Sequence, residues 1–205
     1  MKKRFATLIL ALIMACSLAI PAGAASTLAE EQNETGPVLV VTNNETGEVR
    51  MIEATPESVE TRTISDSSEI DVGYTAYVPI PSNSRTIVDG GKTEGGVNIS
   101  IHVVYTISSN REQIKITRCY GAWTPSSSIY TLSNRVAAVH GGADGKIAKK
   151  SPKINSFNIN TEWGYHNFVT AGDASPYAWA DAIVHVTGMT ATHSLNFGFH
   201  FPDER

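Results

Sequence analysis

Residues 97–123 of this 205-residue chain read VNISIHVVYTISSNREQIKITRCYGAW, and this stretch decides the predicted fold. From Val97 to Ile107 every second residue is aliphatic or aromatic, which is the period-two pattern of a strand that buries one face. Ser108–Arg111 is a polar run that favours a turn. The sequence therefore predicts a hairpin of two antiparallel strands, which we expect to form the centre of the core.

The return strand of this hairpin is expected to present the same face. Ile114 and Ile116 alternate with polar residues, and Tyr120 has their parity, so we expect all three to point inward. Further runs with strand periodicity are separated by loops rich in Gly, Pro, Ser and Asn. These runs are 71–81, 129–140, 153–165, 177–187 and 191–201.

The last two runs have the clearest alternation. Between 177 and 187 small and aliphatic residues share one parity, and between 191 and 201 the shared parity is mostly aromatic. The residues expected to face the core are Ala178, Ala180, Ala182, Val184 and Val186, and then Ala191, His193, Leu195, Phe197, Phe199 and Phe201. His193 is thus predicted to be a core histidine.

About seven short strands without a convincing amphipathic helix predict an all-β fold. Antiparallel pairing is favoured because parallel strands need long crossover connections. We predict a two-layer sandwich of immunoglobulin-like or jelly-roll topology, with a closed barrel as the alternative.

The N-terminus has the features of an export signal. Three basic residues, Lys2 to Arg4, precede an apolar run over 5–20, and small residues follow up to Ala24. We expect cleavage after about Ala24 and a secreted, extracellular product without a stable membrane span. Lipoprotein processing at Cys16 is the alternative.

Charge divides the rest of the chain. Residues 25–70 contain ten acidic side chains and two basic ones, and no aromatic residue precedes Tyr74 after the signal. We therefore predict that 25–68 is an acidic flexible spacer or propeptide and that the β-sandwich domain spans 69–205. Within the spacer, 37–52 resembles a hairpin that either joins the sheet of the domain or forms only transiently.

Cleavage of the signal leaves Cys119 as the single cysteine, so an internal disulfide is excluded. We expect a buried, unreactive thiol, with an intermolecular disulfide or a reactive thiol as the alternative.

Catalytic and metal-binding patterns are absent from the sequence. No nucleophile elbow, zinc-protease motif or catalytic-cysteine context is present, and Glu162 beside Trp163 is the most suggestive carboxylate. Six histidines lack the spacing of zinc ligands, and His102, His185 and His200 would converge only on neighbouring strands. We predict no catalytic residue, no metal and no cofactor.

Aromatic residues near strand ends and loops make the best case for binding. The predicted ligand-binding residues are Trp123, Trp163, Tyr165, Tyr177 and Trp179, which suit a cell-surface glycan or a protein partner. The alternative is that they fill the core. A basic patch is also predicted at Lys146, Lys149, Lys150 and Lys153, with ordinary solvated lysines as the alternative.

These features predict a secreted, non-enzymatic binding module that acts on extracellular or cell-surface material. A secreted antimicrobial or toxin-like effector with an acidic leader is the alternative, and a hydrolase comes third. Nucleic acid is not an expected partner, because an acidic chain without a recognisable binding fold lacks the electrostatic footprint.

Overall fold

A computed structural model describes residues 37–57, 60–64, 67–81, 95–170, 172 and 174–202. The predicted export signal, Cys16 and the segment 25–36 lie outside these residues. Thirteen strands occur in the described part of the chain, which contains no helix and hence no helical membrane span. The strands are β1 (Val38–Asn43), β2 (Val49–Glu53), β3 (Thr55–Pro56), β4 (Glu60–Ile64), β5 (Ser67–Pro79), β6 (Gly96–Ile107), β7 (Gln113–Pro125), β8 (Tyr130–His140), β9 (Ile147–Lys150), β10 (Ser156–Asn160), β11 (His166–Asn167), β12 (Tyr177–Val186) and β13 (Thr192–His200).

The strands form two antiparallel sheets packed as a sandwich, which confirms the predicted fold class. Sheet A has the order β2-β1-β13-β12-β8-β9. Sheet B has the order β10-β7-β6-β5-β3, with β11 also paired to β7 and β4 also paired to β5. No closed barrel forms among the described strands, and their number exceeds the predicted seven because several short edge strands add to both sheets.

The predicted central hairpin is confirmed as β6 and β7. Its turn closes where the Ser108 N–H donates to the Gln113 carbonyl at 2.8 Å, and Arg111 adopts a positive φ of 59°. From Val97 to Tyr105 the predicted inward residues of β6 are at most 5% exposed. This hairpin holds the middle of sheet B.

A β-bulge at Thr117 changes the parity of β7. Val104 pairs with Arg118 and Tyr105 pairs with Ile116, so Thr117 has no partner on β6. An extra residue of this kind moves every later side chain to the opposite face. The prediction that Tyr120 shares the inward face of Ile116 is therefore wrong, and Tyr120 points outward.

The core lies between the two sheets. The predicted inward faces of β12 and β13 are buried, including His193, which is 5% exposed. Burial, reinforced by the nearby Arg50 charge, lowers the pKa of His193, so burial favours the neutral imidazole. Tyr74 of sheet B meets Phe199 of sheet A edge to face at 4.8 Å.

The predicted domain boundary at Glu69 needs correction. β1 pairs with β13 over six residues, and its inward residues Leu39 and Val41 are 0% and 1% exposed. β2 continues sheet A, whereas β3 and β4 pair with β5 in sheet B. The hairpin over 37–52 thus joins the sheet, because its alternating aliphatic residues pair with β13. The acidic composition of the segment does not indicate this pairing.

Cys119 lies in the core, as expected. Its side chain is fully buried, and burial raises the pKa of the thiol to about 12. The reactive thiolate is therefore scarce at neutral pH.

Candidate functional site

The outer surface of sheet A carries a group of ring and amide side chains that we call the aromatic face. It consists of three cross-strand rows on β12 and β13. These rows are Tyr177 with His200, Trp179 with Gly198, and Asp181 with Asn196. The alternation of β12 explains the placement, because its alanines and valines point into the core and the residues between them point out.

The rings of the aromatic face contact one another. The Tyr177 and Trp179 centroids are 5.7 Å apart with planes inclined by 25°, and the His200 ring lies 4.6 Å from Tyr177. A Cβ atom on Gly198 would lie 2.1 Å from the Tyr177 hydroxyl, so the phenol ring leans across β13 over this glycine. Trp179 has a small residue on each side, because its cross-strand neighbours are Gly198 on β13 and Ala138 on β8. The result is a low surface of aromatic rings.

A polar pair continues the aromatic face along β12. The Asn196 side-chain amide donates a hydrogen bond to Asp181 Oδ1 at 3.2 Å. Burial raises the pKa of Asp181, although the Asn196 hydrogen bond and the Lys149 charge act in the opposite direction. A carboxylate partly withdrawn from water thus lies next to the partly buried rings.

The five predicted aromatic binding residues are divided among three places. Trp123 is 1% exposed and packs on Phe157 at 5.2 Å, so its prediction as a ligand contact is wrong. The bulge at Thr117 turned it inward. Tyr177 and Trp179 come together on the aromatic face.

Trp163 and Tyr165 lie beside sheet B, in the segment between β10 and β11. Tyr165 is 44% exposed, and Trp163 is partly buried against the core. Glu162, the carboxylate singled out in the sequence, has a positive φ of 54° and lines a shallow depression of about 470 Å³ with Trp163. Trp163 also approaches sheet A, because a Cβ atom on Gly141 would lie 3.3 Å from Trp163 Cζ3, and Gly141 directly follows His140, the cross-strand partner of Tyr177.

The outer surface of sheet B has a second cluster, which we call the polar groove. It is a cleft of about 680 Å³, and its central residues are Glu57, Asp71, His102, Arg118 and Tyr120. His102 Nε2 lies 3.0 Å from Glu57 Oε2, and the Tyr120 hydroxyl donates to Asp71 Oδ2 at 2.6 Å. The second oxygen, Asp71 Oδ1, has His102 Nδ1 at 3.5 Å and no shorter contact with a donor in the described structure.

Ring stacking completes the polar groove. The His102 and Tyr120 rings are nearly parallel at 4.7 Å, and the Arg118 guanidinium lies 4.2 Å from the Tyr120 centroid. Burial, followed by the Asp71 hydrogen bond, raises the pKa of Tyr120 to about 12. This cluster has no signature in the sequence, because it depends on the bulge and on the pairing of Gly73 with His102.

Two of the four lysines of the predicted basic patch make direct side-chain contacts with other described residues. Lys146 forms an ion pair with Asp144 at 3.1 Å, and the Lys150 ammonium donates to the Asn158 carbonyl at 2.7 Å. The charge of Lys149 acts to lower the pKa of Asp181. Of the four lysines, only Lys146 has an ion pair in the described part of the chain, and the hydrogen bond to a carbonyl leaves the charge of Lys150 in place.

The histidines do not converge. His102 belongs to sheet B, whereas His185 and His200 belong to sheet A. No group of three or more His, Cys, Asp or Glu residues with the geometry of a metal site occurs among the described residues.

Comparisons with protein-family models, with curated proteins and with solved structures find no match to this chain. Function must therefore be argued from the chemistry of the two outer surfaces.

Proposed function

We propose that this protein is a secreted, non-enzymatic binding module that holds an extracellular or cell-surface glycan on its aromatic face. The observation that carries the proposal is the contact between the Tyr177 and Trp179 rings on an outward sheet surface. Both rings sit on a central strand of sheet A, where the backbone is fixed by neighbours on each side.

The chemistry of the aromatic face suits a sugar. One face of a pyranose ring is lined by C–H groups and packs on an aromatic ring, while its hydroxyl groups at the edge need hydrogen-bonding partners. Ligand sites commonly combine such an apolar surface with a few polar groups that fix orientation. Asp181 and Asn196 supply these groups beside Trp179.

Secretion is the second part of the proposal. It rests on the basic start, the apolar run and the small residues before Ala25. Mass spectrometry of the mature protein tests it, and we expect a free N-terminus at about Ala25. A lipid-modified Cys16 at the N-terminus would contradict cleavage after Ala24.

The glycan-binding part is tested with a tryptophan pair. Mature wild-type protein, Trp179→Ala and the matched control Trp163→Ala are applied to a glycan array, and their folds are compared by circular dichroism. Because Trp179→Ala removes the apolar ring on which the sugar packs, we expect it to weaken binding about tenfold or more. Trp163→Ala should bind like the wild type.

Two results would contradict the proposal. In the first, folded wild-type protein binds no glycan on the array. In the second, the two tryptophan variants lose affinity equally, which would mean that the aromatic face has no special part in binding.

A further inference from the structure

We infer that Asp181 and Asn196 make the aromatic face selective for neutral sugars, by accepting hydrogen bonds from two adjacent hydroxyl groups of a pyranose that packs on Trp179. Sugars that carry a carboxylate would be rejected by the same pair. This inference rests on the proposed function and adds the class of ligand.

The position of the pair supports this role. Asp181 is two residues after Trp179 on the same face of β12, a spacing of about 6.7 Å along a strand. Asn196 is its cross-strand partner on β13. A pyranose centred on the indole therefore directs the hydroxyl groups of one edge towards both side chains.

The hydrogen bond within the pair sets the direction of its acceptors. Asn196 uses its amide N–H to bond Asp181 Oδ1, which leaves Asn196 Oδ1 and Asp181 Oδ2 as two neighbouring acceptor atoms. Hydroxyl groups on adjacent sugar carbons are two neighbouring donors. The match in number favours a vicinal diol over a single hydroxyl group.

The energetics indicate that Asp181 is not there for stability. Partial burial disfavours its charged form, and the Asn196 hydrogen bond and the Lys149 charge offset only part of that cost. Residues that cost stability are concentrated at binding and catalytic sites. A hydroxyl group of the ligand would donate a hydrogen bond to Asp181 in place of those that water can no longer donate.

Charge repulsion would discriminate against acidic sugars. The carboxylate of an acidic sugar held on Trp179 would approach the Asp181 carboxylate, and like charges placed together in a partly dry site repel. Lys149 pairs with Ala138, the cross-strand neighbour of Trp179, and its charge acts on Asp181, so it offsets part of this repulsion.

The test uses neutral and acidic probes of equal length. Cellohexaose and mannohexaose are the neutral probes, hexagalacturonate is the acidic one, and affinities are measured by isothermal titration calorimetry. We expect wild-type protein to bind at least one neutral probe more tightly than hexagalacturonate. Asp181→Ala should weaken that binding roughly tenfold to a hundredfold, as expected for a lost hydrogen bond to a charged group.

Two further variants separate recognition from folding. Asp181→Asn keeps the shape and removes the charge, so we expect the preference against hexagalacturonate to shrink, an outcome that a purely structural role would not produce. Asn196→Ala should weaken binding of the neutral probe several-fold. The control Asn160→Ala, on sheet B, should bind like the wild type.

The outcomes distinguish the two proposals. If wild-type protein binds none of the probes and no glycan on the array, glycan binding itself is contradicted and selectivity falls with it. If wild-type protein binds but prefers hexagalacturonate, or if folded Asp181→Ala keeps full affinity and selectivity, glycan binding stands and the inferred role of the pair is overturned.

Discussion

The aromatic face and the polar groove are built alike but leave different groups available. Each lies on the outer surface of central strands, and in each a ring covers a glycine: Tyr177 covers Gly198, and His102 covers Gly73. In the polar groove the charged and polar groups mostly pair with one another. On the aromatic face the Asn196 amide donates to Asp181 Oδ1, and no hydrogen bond to Asp181 Oδ2 or Asn196 Oδ1 occurs in the described part of the chain.

The difference shows why a cluster of titratable residues is weak evidence for a site. His102 is flanked by Glu57 and Asp71, and Asp71 also accepts the Tyr120 hydrogen bond. These contacts tie β5, β6 and β7 to residue 57, which follows β3, and so they stabilise the attachment of the N-terminal strands to sheet B. On the aromatic face, by contrast, the Asp181 carboxylate accepts a hydrogen bond only at Oδ1 among the described residues.

The largest expected effect comes from filling the space under His102. In Gly73→Ala the new Cβ would lie 2.2 Å from His102 Nδ1, so the imidazole must leave its position between Glu57 and Asp71. We expect a loss of about 1–3 kcal/mol in the free energy of unfolding, measured by urea denaturation, because hydrogen bonds to charged groups are broken. Glycan affinity should not change.

Gly164→Ala is the matched control for this substitution, since the added Cβ has no neighbour within 4 Å. It should change stability much less than Gly73→Ala does. Equal stability of the two variants, or a loss of glycan affinity in folded Gly73→Ala, would contradict the structural role given to the polar groove.

The equivalent substitution on the aromatic face should mainly affect binding. In Gly198→Ala the new Cβ would lie 2.1 Å from the Tyr177 hydroxyl and 2.9 Å from the Ala178 carbonyl oxygen, which forces the phenol ring away from its place beside Trp179. We expect affinity for the array glycan to fall about tenfold, equal to about 1.4 kcal/mol. Unchanged affinity with a displaced ring would show that Tyr177 is not part of the site.

The sequence predicts the strands and their buried faces better than it predicts which outer residues meet. Alternation in β12 already implies that Tyr177 and Trp179 point away from the alanine face. The position of Trp123 at a strand end predicts a surface residue, and this prediction is wrong because the bulge residue Thr117 reverses the parity of β7 without a clear signal in the sequence. Periodicity describes a single strand, whereas a bulge depends on the pairing of two.

Long-range pairing is the other information that local patterns lack. The acidic composition of 25–68 argued for a spacer, yet β1 docks on β13 across more than 140 residues of sequence. Likewise, His102 meets Glu57 only because the chain crosses from sheet A to sheet B after β2. The polar groove therefore had no signature that a reading of the chain in order would detect.

The smallest expected effect concerns the stability cost of Asp181. Its folded pKa is raised by burial, so the stability that it contributes is greatest below the unfolded pKa and is lost as pH rises through the folded value. Asp181→Asn removes this loss. We expect the variant to be more stable than wild type at pH 7, by less than about 1 kcal/mol because the site is partly screened by solvent.

The sign of the pH dependence makes this measurement decisive. Urea denaturation of both proteins from pH 7 downward should show the advantage of Asp181→Asn shrinking as wild-type Asp181 becomes protonated, because both side chains are then neutral. If instead the variant is less stable at pH 7, Asp181 stabilises the fold and belongs with the mutually paired groups of the polar groove. The proposed contrast depends on Asp181. It would then fail, because the aromatic face, like the polar groove, would use its polar groups for stability and not for a ligand.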